Sequence, residues 1–331
     1  MDLAEAERVF APAARRALDA FPLAPTGLEL VSLAENATFR VATDAGDFVL
    51  RLHRPGYHTR AELESERMWI RALLDAGVGV PQPLRTRTGD EFVEVAIGAL
   101  AQRRFAGVSR WTDGEILAKV LRHRKAVGDL EHFFGQIGAI IATMHAQSER
   151  WTVPPTFVRH ALDADGLVGE APFWGRFWEH PALSDAERTL FDSTRSALRA
   201  ALSRLGRDPS TYGMIHADLH PGNVLIDGDE LTAIDFDDSG FGWHAYDIAV
   251  ALFHYADAPT YPTIERAFVD GYRRVRPLPD STLGLLPMFS LIRSLAIVGW
   301  IAQRPELDRA AYLRDNKDRI CARCAAFEAP C

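Results

Sequence analysis

From Gly213 to Trp243 the chain reads GMIHADLHPGNVLIDGDELTAIDFDDSGFGW, two short apolar runs set among one asparagine, two histidines and several acids. The segment VLIDGDELTAID reads as two short strands joined at Asp227-Gly228-Asp229, a hairpin signal. A hairpin there brings Asn223 and Asp235 together although they lie twelve positions apart. Two oxygen ligands at one end of a hairpin suit Mg2+, which keeps several waters and takes its remaining ligands from substrate phosphates. Asp218, five residues before Asn223 on the loop that feeds the hairpin, is placed to face a substrate hydroxyl as base or orienting group. His216 is expected to brace that loop through hydrogen bonds rather than react, and His220 to lie toward the substrate. Asp227 and Asp229 read as solvated turn residues.

The remaining chain sets the frame. At 331 residues it is long enough for two compact units. Residues 1 to about 22 read as an amphipathic helix ended by Pro22 and Pro25. GLELVSL, ATFRVATD and DFVLRLHR follow as extended runs, then RAELESERMWIRALLDAG as a helix stopped at Gly77, and VPQPL, DEFVEVAIGA and AQRRF return to extended structure. Beyond about Gly107 the pattern turns helical, with a capping box at Ser184-Asp-Ala-Glu187 and a Trp- and Pro-rich stretch of little periodicity between. The expected fold class is α+β: a sheet-rich lobe over residues 1–103 with one long helix, then a larger, mostly helical lobe over residues 104–331.

Composition excludes several functions. A net charge of −8 argues against a nucleic-acid partner, which needs a basic face, but permits an anionic trough for a cationic small molecule. No run reaches the roughly 18 apolar residues of a membrane span. The acid-bearing N-terminus is unlike a secretion leader, so a cytoplasmic protein is expected. Cys321, Cys324 and Cys331 cluster near one end, and the Cys321-x-x-Cys324 pair, with no second pair for a zinc site, reads as a reduced surface pair with no catalytic role. Neither a G-x-S-x-G nucleophile elbow nor an H-E-x-x-H zinc motif occurs.

His216-x-Asp218-Leu219-x-x-x-Asn223 has the spacing of the protein-kinase catalytic loop, and Asp235-Phe236 matches the start of its metal-binding motif. The form HADLHPGN followed by IDFDD resembles the aminoglycoside/choline-kinase type phosphotransferases more than the protein kinases, and FVLRLHRPG, ELESERMWIRALLDAGVGVPQPL, IGAIIATMHAQ and GWHAYDIAVALF also look like segments of that family. The resemblance implies a two-lobed protein-kinase-like fold, ATP and Mg2+ as cofactors, and a small-molecule hydroxyl as acceptor. It makes Asp218 the catalytic aspartate and Asn223 and Asp235 the Mg2+ ligands. Arg51 falls where the family usually has Lys, a departure, because a planar fork reaches phosphate differently from an ammonium. Glu66 is the implied ion-pair partner of Arg51, with Glu62 its rival. The loop LAENATFRV lacks glycine, so Asn36 and Thr38 become the candidate phosphate donors, with Arg103 a further nucleotide contact. Asp247 resembles the buried acid that braces the catalytic loop.

Asp237, Asp238 and Trp243 follow the metal acid closely, and an acidic pair beside an aromatic suits an amine or polyol. Trp151, Phe173, Trp174, Phe177 and Trp178 read mostly as core, with the same segment able to line a pocket. His145, on an apolar helix, reads as a packed, hydrogen-bonded histidine. The expected activity is phosphoryl transfer to an amino alcohol, aminoglycoside or sugar-like molecule. A Ser/Thr protein kinase of the bacterial stress-response type is the first alternative, and a nucleotide-binding pseudoenzyme the second.

Overall fold

The computed structural model describes residues 2–124, 126–305 and 310–328. It divides into two compact units: Met1–Glu115 with Thr152–Val158 and Leu225–Ile234, and Ile116–Trp151 with Arg159–Val224 and Asp235–Cys331.

The first unit is an antiparallel sheet of six strands: β1 (Pro25–Leu33), β2 (Ala37–Thr43), β3 (Phe48–Leu52), β4 (Pro83–Leu84), β5 (Phe92–Ile97) and β6 (Gln102–Arg110). The order is β1-β2-β3-β6-β4, with β5 also on β6. Alternation sets its two faces. Ala37, Phe39 and Val41 of β2 and Phe48, Leu50 and Leu52 of β3 are buried on one face, under the helix Leu3–Leu18, which contributes Ala6, Phe10, Ala13, Ala14 and Ala17. Thr38 and Arg51, directly opposite each other across β2 and β3, belong to the other face. The helix Arg60–Asp75 opens on a complete capping box, with Thr59 and Glu62 satisfying each other's backbone N–H. Two segments return from far along the chain. Val158 donates its N–H to Ser65 Oγ at 2.8 Å. The expected hairpin forms from Val224–Asp227 and Glu230–Ala233, its turn taken by Gly228 in the left-handed region (φ +60°), where glycine alone is unstrained.

Helices dominate the second unit. Val127–Arg150 and Tyr261–Arg273 cross with almost no room between their backbones: a Cβ on Gly271 would lie 1.9 Å from the Gly135 carbonyl oxygen, and one on Gly138 2.2 Å from that of Phe268. A small sheet places Gly240–Trp243 antiparallel to Tyr212–Ile215 and parallel to Ala161–Leu162. The Ser184–Glu187 capping box is present.

The segment Asp280–Ala302 is long and apolar enough, by composition, to cross a membrane, but Arg293 interrupts it and is ion-paired to Asp218, and 67% of its most apolar 18-residue window is buried within the protein, as suits a core helix. One expectation needs correction. The cysteines are not both surface residues: Cys324 is buried on the inward stripe of the helix Ala310–Ala325 with Leu313 and Ile320, and burial pushes its thiol up to about 11. Cys321 is half-buried, both are free thiols, and Cys331 lies outside the described residues.

Candidate active site

The catalytic loop leaves the strand Tyr212–Ile215 and turns at Ala217, whose φ of +66° is costly for a residue with a Cβ. Asp247 holds that turn. Its carboxylate accepts the His216 N–H at 3.2 Å and the Ala217 N–H at 2.8 Å. Asp247 is itself fixed by His145, whose Nε2 lies 3.1 Å from Oδ2, while Nδ1 lies 2.9 Å from the Tyr272 hydroxyl. Burial opposes ionisation of Asp247, but the His145 hydrogen bond and the amides outweigh it and hold its carboxyl below the usual range. Burial keeps His145 neutral, so one tautomer serves: Nε2–H donates to Asp247 and Nδ1 accepts from Tyr272. The expected packing role of His145 is thereby a defined one.

Asp218 stands on this base. His216 Nδ1 accepts the Asp218 N–H at 3.3 Å, and the His216 ring packs 4.5 Å from that of Phe236. Asn223 Nδ2 donates to Asp218 Oδ2 at 2.8 Å and to its carbonyl oxygen at 3.0 Å, closing the loop. Arg293 Nη2 donates to the other carboxylate oxygen, Oδ1. Burial would raise the Asp218 pKa; the charge of Arg293, with His220 and His216, overrides it and keeps the group below the ordinary carboxylate range. His220 lies 3.8 Å from Asp218 Oδ1, and its Nδ1 accepts the Gly222 N–H.

Asp235 also has a φ of +66° and opens a tight turn. The buried Arg159 secures that turn, donating Nη2 to the carbonyls of Phe236 (3.1 Å) and Asp237 (2.7 Å) and Nε to that of Ser239 (2.6 Å). Asn223 spends its amide nitrogen on Asp218, which leaves its Oδ1 as the atom suited to a cation. With the Asp235 carboxylate the donor set is oxygen only, fitting a hard divalent ion and not zinc. Asp237 is buried, and Asp238 Oδ2 accepts the Trp174 Nε1–H at 3.2 Å. The aromatic that meets Asp238 is thus Trp174. Trp243 is 3% exposed and donates Nε1 to the Gly206 carbonyl.

In the first unit, Arg51 lies opposite Thr38 on β2 and Gly107 on β6. Glu66 is buried on the helix Arg60–Asp75, whereas Glu62 is occupied by the capping box. The glycine-free loop Ala34–Asn36 is held by arginines: Arg54 donates its N–H to Asn36 Oδ1 at 2.8 Å and its guanidinium to Glu35, and Arg104 reaches the Glu35 carbonyl at 3.4 Å. Arg103 is elsewhere, opposite Ala96 on β5, exposed, in an ion pair with Glu94 at 2.7 Å. Sequence reasoning missed Arg54, Arg104, Arg159 and Arg293. Arg54 lies in the segment FVLRLHRPG but its role was not read there, the others sit in no motif, and each has a hydrogen-bond partner at least 18 positions away.

This fold is protein-kinase-like, and a loop of this form on it defines a phosphotransferase. A model of the phosphotransferase enzyme family (APH) matches residues 26–278, and the chain belongs to that family. Amicoumacin kinase of Bacillus subtilis (strain 168) is 24% identical over 319 residues, spanning 91% of this chain and 86% of its own. A homoserine kinase of Parvibaculum lavamentivorans is 30% identical over 267 residues, 77% of this chain and 73% of its own. Among solved structures, a microcompartment-associated aminopropanol kinase aligns with a TM-score of 0.77 at 30% identity, covering 95% and 94% of the two chains. An amicoumacin kinase in complex with AMP-PNP and Ca2+ aligns with a TM-score of 0.78 at 22% identity over 98% and 97%, a likeness of fold.

Proposed function

We propose that the protein is an ATP- and Mg2+-dependent kinase that transfers the γ-phosphoryl group to the hydroxyl of a small molecule, an amino alcohol, aminoglycoside or sugar-like compound. The observation that carries this reading is Asp218, gripped by Asn223 on a loop whose backbone is pinned from beneath by Asp247. Asp218 receives the acceptor hydroxyl and orients it. Asn223 and Asp235 hold the divalent cation, which supplies neutralising charge to the phosphates when bound. Arg51, with Glu66 as its buried partner, contacts phosphate in place of the usual lysine, and the Asn36–Thr38 loop covers the nucleotide. Asp238 and Trp174 offer an acid and an aromatic face to a cationic acceptor. The relatives named for amicoumacin, homoserine and aminopropanol all point to a small acceptor rather than a protein. Such a reaction belongs in the cytoplasm, where ATP and Mg2+ are available.

Coupled ADP release across a panel of amino alcohols, hydroxy amino acids, sugars and aminoglycosides tests the reading. Acceptor-dependent, Mg2+-dependent ADP formation that vanishes in Asp218→Ala is expected. Phosphate appearing on Ser or Thr of the protein, with no acceptor-stimulated turnover, would overturn it.

A further inference from the structure

Arg293 is the only charged residue in the helix Leu286–Ala302, whose other inward positions are apolar but for Ser294. It is 9% exposed, and its Nε is buried without a hydrogen-bond partner. Burying a guanidinium costs several kcal/mol, and an apolar residue of similar volume commonly serves a core as well or better. Its position therefore needs a reason beyond packing, and its neighbours supply one. Nη2 is bonded to Asp218 Oδ1, the charge of Asp238 acts on it, and the Trp174 ring centroid lies 6.0 Å from the guanidinium carbon.

An ionised carboxylate offers about four acceptor sites on its two oxygens. Asn223 Nδ2 occupies one on Oδ2 and Arg293 Nη2 one on Oδ1, from donors far apart in the chain: one five residues away on the same loop, the other 75 residues away on a core helix. A carboxylate held at one oxygen can swing about its Cβ–Cγ bond. Held at both, it presents its remaining lone pairs in a fixed direction.

We propose that Arg293 is a positioning residue of the phosphoryl-transfer site, which with Asn223 clamps the Asp218 carboxylate in the orientation that receives the acceptor hydroxyl. This rests on the kinase reading above. The clamp spends one lone pair of Oδ1 and leaves the other for the acceptor, so Arg293 need not be displaced during turnover. A lysine keeps the charge but lacks the flat, pre-oriented fork, so it restores attraction without the geometry. Misplacement of a reacting group by about 1 Å costs on the order of 10²-fold in rate, and that sets the expected effect.

The test uses the full chain with Arg293→Lys, Arg293→Gln and Arg293→Ala, an acceptor from the panel, and thermal melts of each. If no acceptor emerges, slow ATP hydrolysis gives the same readout with water as the accepting hydroxyl. Arg293→Gln and Arg293→Ala are expected to lose about 10²-fold in kcat with KM for ATP within about twofold, and Arg293→Lys about tenfold. Guanidinium at tens of millimolar should restore part of the Arg293→Ala rate and do nothing for Asp218→Ala. Should Arg293→Ala not fold, Arg293→Lys decides the matter by the same split between kcat and KM. Folded variants with kcat within about threefold of wild type, or a loss confined to melting temperature that guanidinium does not repair, would overturn the inference and leave the kinase reading intact. Equal turnover in wild type and Asp218→Ala would overturn both.

Discussion

The loop at Asp218 and the loop at Glu35–Asn36 solve the same problem by opposite means. The first is anchored from beneath by groups sealed from solvent: Asp247, His145 and Tyr272, all buried, holding backbone amides at a strained residue. The second is tied by Arg54 and Arg104 through contacts that remain part-exposed, and Arg54 also stacks its guanidinium 3.3 Å from the Tyr57 ring centroid. Buried hydrogen bonds resist salt and rupture together, because removing one member leaves its partners desolvated and unpaired. Part-exposed ion pairs give way singly and weaken as salt screens them. A rigid catalytic loop and an adjustable loop in the sheet unit follow from these two kinds of anchor.

The hardest blow to the comparison is Asp218→Ala, expected to lower kcat by about 10³-fold or more while nucleotide affinity, measured by titration calorimetry, stays within a few-fold. Next is Asp247→Ala. It strips a buried partner from His145 and two amides, and a cost of about 3–5 kcal/mol is expected, read as a large fall in denaturation midpoint with turnover lost in parallel. If the protein melted as wild type, the buried anchor would not be what holds the loop.

Acid should weaken the second unit. Burial, the largest cause in each, holds His145, His220 and His244 below the ordinary imidazole range and His254 down to about 4. Unfolded imidazoles take up protons near 6.5, so between that value and about 4 the unfolded chain binds more protons than the native one. Stability is therefore full above about 6.5 and declines as pH falls through that window. Melting temperatures from pH 7.5 to 4.5 should show this slope, and His254→Gln should flatten it. Asp218 and Asp247, both shifted downward, extend the loss below the ordinary carboxylate range.

The smallest effect is expected at Arg54→Gln. Freeing Glu35 from the guanidinium, with the backbone bond to Asn36 kept, should raise KM for ATP by about two- to fivefold at low salt, with the gap to wild type narrowing at 0.5 M KCl. An unchanged KM at every salt concentration would remove the loop from the nucleotide site.

How much could be read beforehand depended on range. The hairpin, the Ser184 capping box and the extended run that carries Arg51 were legible, because each is written within a dozen residues by turn chemistry, periodicity or motif spacing; the brace from Asp247, 30 positions beyond Ala217, came only with the family resemblance. Arg293 was not. A lone arginine among Leu, Ile and Phe carries no sign of whether it snorkels to water or turns inward, and only the placement of Asp218 beside it decides. Arg159 was hidden for the same reason, in a stretch without periodicity, as was the bond from Trp174 to Asp238, 64 positions apart.

By itself, then, the sequence determined the chemistry on offer: an acid, an amide and a second acid at fixed spacing, on a loop and hairpin that short-range hydrogen bonding alone can specify. Tertiary structure decided which distant cations and imidazoles close around them, from helices whose own patterns encode only burial. Local geometry is set by dihedral preferences and turn residues, which act over a few positions. A buried charge finds its partner only when separate elements pack, and its energy exists nowhere in the chain until they do.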